Sequence, residues 1–219
     1  MVIKRNQTNY LLAGILTLAV FGVGLYLGIQ FESSRVLDVG QRITQIDNLW
    51  NDARLLQSYL QTSQNLSYDC NFLLDQNLDI GDKIYNEGLR IEAYETANRF
   101  TSSLLLEKQR YALLDLQFWR NSIELKKLCS GNYSTVIYFY SQYNSTPDQS
   151  FQGKTLFDLK QKCGANIIYI TFPADIGIST LELVKDVYKI NKIPSILINE
   201  TLLLDTPQTL QNLQSYVKC

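Results

Sequence analysis

The rhythm of apolar positions changes three times along this chain, and each change marks a different kind of element. Leu11 to Ile29 is an apolar run without a single charge. Its roughly 19 residues cover about 28 Å as a helix, close to the hydrocarbon thickness of a bilayer. Tyr10, Tyr26 and Phe31 stand near its ends, as interfacial aromatics do. From residue 32 the pattern turns helical and half polar. Val36, Val39, Ile43, Ile46, Trp50, Ala53, Gln57 and Leu60 step by three and four. A second seam of the same kind runs through Ala97, Phe100, Leu104, Glu107, Tyr111, Leu114, Phe118, Asn121, Leu125 and Leu128. Beyond residue 133 the runs are short and rich in β-branched and aromatic residues. Thr135 to Tyr140 and Asn166 to Phe172 are continuous rather than alternating, which predicts strands covered on both faces.

Local signals place the boundaries. Ser67-Tyr68-Asp69 offers capping groups for a short apolar helix through Phe72 and Ile80, and Gly81-Asp82 reads as a turn. A long helix is predicted over 85–128, with Lys126 and Lys127 in the last turn, where cations suit the dipole. Neither seam is stable alone in water, because helical stability comes mostly from burying the apolar face. An antiparallel hairpin within the chain is the simplest arrangement, and a coiled coil between chains would use the same stripes. Thr146-Pro147-Asp148-Gln149 is a capping box that opens a helix ending at Gly164. Ser179-Thr180-Leu181-Glu182 is a second capping box. Pro194 introduces a strand over Ser195 to Asn199, Glu200-Thr201 turns the chain into Leu202 to Leu204, and Thr206-Pro207 opens the last helix. The predicted organisation is a cytoplasmic tail (1–10), a transmembrane signal anchor (11–30), a helical, coiled-coil-like stalk (31–131) and an α/β domain (132–219).

The exit of the apolar run, Gly28-Ile29-Gln30-Phe31-Glu32, is a poor cleavage site, so the run is expected to stay as a single-pass anchor in the cell membrane. Lys4 and Arg5 precede it and Arg35 and Arg42 follow it, so basic residues are nearly balanced. The short basic tail favours an amino terminus inside and an extracytoplasmic domain after residue 31. Gly24 and Gly28 form a GxxxG, which allows close helix approach and a homodimer, as the stalk also could. Glycine is in any case common in membrane helices.

Composition removes several function classes. Apolar residues make up 46%, enough for a core, and the net charge of −1 gives no footprint for nucleic acid. The chain has no histidine, the commonest general base and zinc ligand. Four cysteines, at 70, 129, 163 and 219, form no CxxC and no metal-ligand spacing, and they allow three pairings in an oxidising compartment. There is no GxSxG and no phosphate loop, so no catalytic residue, cofactor or metal is predicted. Asn65, Asn132, Asn144 and Asn199 begin N-glycosylation patterns, the third followed directly by Pro147.

Residues 133–218 resemble the thioredoxin-like superfamily in their order of strands and helices. The strongest local match is Tyr188 to Ile198, YKINKIPSILI, which is similar to that family's segment around its cis-proline. The resemblance implies a cis Ile193–Pro194 bond facing the turn after the first strand. In the family that turn carries an aromatic residue and Cys-x-x-Cys. Here Tyr143 takes the aromatic place, and Asn144 and Pro147 stand where the cysteines would be. Dithiol exchange needs an attacking thiolate and a resolving thiol, which an amide and an imino acid cannot supply. What the resemblance still implies is a peptide groove, with Tyr143, Asn144, Ile193 and Pro194 as candidates for binding a protein or extended peptide. It also places the carboxy-terminal ends of the first and last helices together, which implies a Cys163–Cys219 bridge and leaves Cys70 and Cys129 for a second. The expected function is a redox-inactive interaction, scaffold or chaperone-like module on the membrane. The alternatives are a thiol–disulfide oxidoreductase using Cys129, or a helical subunit of a membrane complex.

Overall fold

The computed structural model describes residues 3–62, 69–97 and 102–219. Asn65, Ser67, Tyr68 and Phe100 lie outside the described residues, as do the side chains of Lys4, Arg5, Arg35, Val36, Val39 and Arg42. Three helices, α1 (Ile3–Thr62), α2 (Cys70–Ala97) and α3 (Ser102–Cys129), come first. They are followed by β1 (Ser134–Tyr140), α4 (Pro147–Cys163), a short 3-10 turn, β2 (Ile167–Pro173), α5 (Ser179–Val187), β3 (Ser195–Ile198), β4 (Leu202–Leu204) and α6 (Leu210–Tyr216). The protein is thus mostly helical, with one small mixed sheet.

The chain divides into two compact units, residues 1–45 and 46–219. The first contains Asn9–Phe31, a stretch of mean hydropathy 2.2 that buries none of its side chains within the protein. Among the described residues it is the one helical stretch long and apolar enough to cross a membrane. A Cβ added at Gly24 or Gly28 would meet no atom within 4 Å, so both glycines face open space.

The second unit is built around a sheet of order β2-β1-β3-β4. β1 and β2 are parallel, with Ser134 opposite Ile167, whereas β3 runs antiparallel to both β1 and β4. Successive side chains on a strand point to opposite faces. Val136, Tyr138, Ile196 and Ile198 therefore pack on one face, under Leu156 and Leu159 of α4 and Leu213 of α6. Ile137, Phe139, Ile170, Phe172 and Leu197 pack on the other, under Leu181 of α5 and Phe118 and Trp119 of α3. Each fully buried Leu or Phe here contributes roughly 1.5–3 kcal/mol.

The expected boundary between a stalk and an α/β domain at residue 131 is not found, because residues 46–219 form one unit. The cause lies in α3. The three-four seam marks one stripe, but Ala112, Asp115, Trp119 and Ser122 are buried as well. The Trp119 ring lies 5.4 Å from that of Tyr188 and 6.1 Å from that of Phe172, and its indole N–H donates to Glu200 at 2.8 Å. On another side, the Asn121 amide donates to the Ala53 carbonyl at 2.7 Å and Arg110 pairs with Asp47 at 2.9 Å. Seam residues Ile46, Ala53 and Leu60 are accordingly buried within the chain.

The expected turn at Gly81-Asp82 and the single helix over 85–128 are also replaced, by two helices of 28 residues each. Gly81 lies mid-helix, and a Cβ there would come within 2.6 Å of the Phe118 ring. Its role is close packing of α2 on α3 rather than a turn.

Smaller differences have local causes. No side chain caps α5, and Glu182 pairs instead with Lys185 at 2.8 Å. The last helix begins at Leu210, with Thr209 as its cap, because the buried Gln152 side chain holds the Gln208 N–H at 2.6 Å. Strand β3 ends at Ile198, and Asn199 and Glu200, with φ of 49° and 59°, make the hairpin turn.

Candidate functional site

β1 ends at Tyr140, and residues 141–146 form the turn that the sequence singles out. Thr146 closes it by accepting the Gln149 N–H at 3.2 Å, with Pro147 as the first helical residue of α4. Gln149 does not complete a capping box. Its side chain turns back to accept the Ser141 N–H and donate to the Ser141 carbonyl, both at 2.9 Å. Asp175, just after β2, is the hub of the turn. It accepts from the Ser141 hydroxyl, from the Gln142 N–H at 2.7 Å and from the Tyr143 N–H at 3.4 Å. Burial acts to raise the Asp175 carboxyl, but these hydrogen bonds outweigh it and hold the group below the usual carboxylate range.

The turn is tied to the helices through Gln142. Its amide donates to Glu95 of α2 and its carbonyl oxygen accepts from Lys108 of α3. Lys108 and Glu95 close the triangle at 2.8 Å. Tyr143 and Asn144 project into solvent. The Ile193–Pro194 bond is cis, and Ser195 stands opposite Phe139 in the β1–β3 register. Tyr143, Asn144, Ile193 and Pro194 therefore come to the same end of the sheet.

The cysteines lie at the other end. Cys70 pairs with Cys129 and Cys163 with Cys219, with Cα separations of 5.4 and 4.5 Å. Cys129 closes α3 shortly before β1, Cys163 closes α4 before the Ile167–Ser134 pair, and the Lys218 N–H donates to Ser134 Oγ at 3.1 Å. A seven-residue strand such as β1 is on the order of 20 Å long, so no sulfur reaches the 141–146 turn. Among the described residues no group of three or more acidic or cysteine side chains gathers where a metal ion could bind. Of the glycosylation patterns, Asn132 and Asn144 are exposed. The Asn199 side-chain oxygen Oδ1 accepts from Lys126 at 2.9 Å and from the Thr135 N–H at 3.2 Å.

No family model and no curated protein matches the chain. A solved chain described as "Structure of a malarial protein" is similar at 18% identity over 39% of this chain and 93% of its own, with a TM-score of 0.33. That likeness is too slight to carry a fold or a function.

The sequence reading missed a cavity. A space of about 670 Å³ lies where α2 and α4 flank the outer edge of β2. Tyr85, Tyr111, Tyr138, Tyr140 and Tyr169 line it, with Phe157. Burial pushes Tyr111, Tyr140 and Tyr169 well above the ordinary tyrosine range, with neighbouring carboxylates adding to the shift, so these phenols stay neutral. The signal was present as the two-residue spacing of Tyr138 and Tyr140 on one strand, with Tyr169 on another. What could not be read is that β1 and β2 are neighbours in this register, with Val136 opposite Tyr169.

Proposed function

We propose that this chain is a membrane-anchored binding module with a thioredoxin-like, thiol-free core, held on the extracytoplasmic side by its amino-terminal helix. The fold reading is supported by the strand order, the parallel β1–β2 pair, helices on both faces and the cis Ile193–Pro194 bond. The placement is supported by the apolar Asn9–Phe31 stretch and by two cysteine pairs at bonding distance, since such pairs persist in oxidising compartments. The basic pair Lys4 and Arg5 supports an amino terminus inside.

One observation carries the functional reading: the turn beside the cis-proline is tightly built, exposed at its tip and far from every cysteine. Asp175 and Gln149 hold its backbone, and Tyr143 and Asn144 are exposed at its tip. A fixed turn with an exposed aromatic suits recognition, because little ordering is left to occur on binding. The rival thiol chemistry would require Cys129 to leave its partner Cys70 and act at the wrong end of the sheet.

The test is a photoreactive phenylalanine analogue placed at Tyr143 in the full chain, irradiated in native membranes. Defined protein adducts should form there and be absent from the same analogue at Tyr216, an exposed position on α6. Equal adduct patterns at both positions would sink the reading, as would reduction of insulin above the uncatalysed rate.

A further inference from the structure

We propose that the cavity beside β2 is a binding site for an uncharged, ring-bearing small molecule that carries a hydrogen-bond acceptor. Its size falls within the range of roughly 300–1,000 Å³ typical of ligand sites. The space is a cleft about half open to solvent, so its apolar walls lack packing contacts on the open side and lie against water. Tyr85 adds a second unfilled requirement at the same place. Its hydroxyl has no hydrogen-bond partner and is shut off from solvent behind the wall, so an acceptor meets it once the ring swings toward the space. An unmade bond to a buried polar group costs about 1–3 kcal/mol. A ligand with a carbonyl or ether oxygen satisfies Tyr85 and restores the missing contacts together.

The walls set the rest of the chemistry. The tyrosine rings and Phe157 offer flat apolar faces, which suit ring stacking. Lys108 is the deeply buried charge on the lining, and it is already neutralised by Glu95 and held by Gln142. A charged ligand would leave water for a deep wall whose buried charge, Lys108, is already paired, which is strongly unfavourable. Glu92 and Lys154 are exposed lining residues of opposite sign, so they select neither charge. A ligand here would touch α2, α4 and the edge of β2 at once, and so brace the helical layer against the sheet. This inference does not depend on what the 141–146 turn binds.

The experiment uses the full chain in lipid nanodiscs and two photoprobes: benzophenone, neutral with one carbonyl, and para-benzoylbenzoate, the same body with a carboxylate. Adducts are mapped by peptide mass spectrometry. Benzophenone should label the 85–95 and 149–157 segments, and the carboxylate probe should label them at least about tenfold less. Gly153→Phe should abolish these adducts while leaving any within residues 9–31 unchanged. A Cβ at Gly153 meets only Tyr138, at 3.9 Å, so the new ring enters the cavity rather than packed atoms. Ser150→Leu, also on the lining and exposed on α4, serves the same purpose if the first variant melts early. Tyr85→Phe should weaken benzophenone labelling several-fold. Adducts confined to residues 9–31, equal labelling by both probes, or labelling unchanged by either filling variant would overturn the proposal.

Discussion

Replacing Trp119 by alanine tests whether the helices and the sheet are one cooperative structure. The side chain is 3% exposed, and it reaches from α3 to rings on both β2 and the chain after α5. Truncating a buried tryptophan costs about 3–5 kcal/mol. Part of that is the indole hydrogen bond to Glu200, which would keep the Thr135 hydroxyl as a partner. Trp119→Phe should therefore recover most of the packing and lose roughly 1.5–3 kcal/mol, the range for a bond to a charged group. For a unit of this size each kcal/mol shifts the melting temperature by about 2–4 °C, so the alanine variant should melt roughly 6–20 °C lower. The assay is denaturation of the full chain in nanodiscs, followed by the fluorescence of Trp50, which packs against the same core from α1. Circular dichroism should report the same midpoint. If α3 stood off the sheet as a stalk, Trp119 would be a surface residue and the change would stay within about 0.5 kcal/mol. That result, or a Trp50 transition separate from the circular dichroism, would refute the single-unit reading.

Three further outcomes are expected. The Asp115 carboxyl is raised well above its usual value by burial, against a lowering from the Tyr111 hydrogen bond. The folded state thus holds that proton more tightly, and stability falls as pH rises from the unfolded value near 3.9 through the folded one. Asp115→Asn should remove this slope and raise stability at neutral pH, as melts across that range would show; an unchanged slope would count against it. Asp175 has the opposite sign, since its folded carboxyl is lowered, and its contribution is present above the unfolded value and lost as pH falls through the folded one. Asp175→Asn should cost about 1–3 kcal/mol at neutral pH and speed hydrogen exchange at the Gln142 and Tyr143 amides, whereas unaltered exchange would show that the turn is held otherwise. Replacing Cys70 and Cys129 by serine should cost about 4 kcal/mol in the chain-entropy model for their separation of 59 residues, and a loss under about 1 kcal/mol would show that the unfolded loop is already constrained.

What was legible in the sequence follows period and punctuation. The strands at Thr135–Tyr140 and Asn166–Phe172, the cap at Thr146-Pro147 and the stop at Gly164 were readable because each rests on neighbouring residues. The cis bond at Pro194 and the two cysteine pairs came through the resemblance rather than through spacing. The helical layer was misread for a physical reason. A heptad stripe reports one buried face, and α3 has several, so Trp119 and Ser122 looked like outward positions. Gly81 was misread because a glycine required by a neighbouring ring has the same letter as one required by a turn. Asp175 drew no attention as one carboxylate among many. Its role depends on β2 lying beside β1, which no local signal states.

The Cys70–Cys129 bond also decides how this protein carries force. A pull between the amino-terminal helix and the sheet runs along α1 to Cys70, crosses the sulfur bridge to Cys129 and enters β1. Helices α2 and α3 lie off that covalent path. Their 59 residues of separation, drawn out, would lengthen the molecule by on the order of 200 Å, and the bridge removes that extension. The Cys163–Cys219 bond likewise shields the last three strands and the helices between them from any load applied at the carboxy terminus. Tension on the amino-terminal helix is thus passed across the bridge without drawing out α2 and α3.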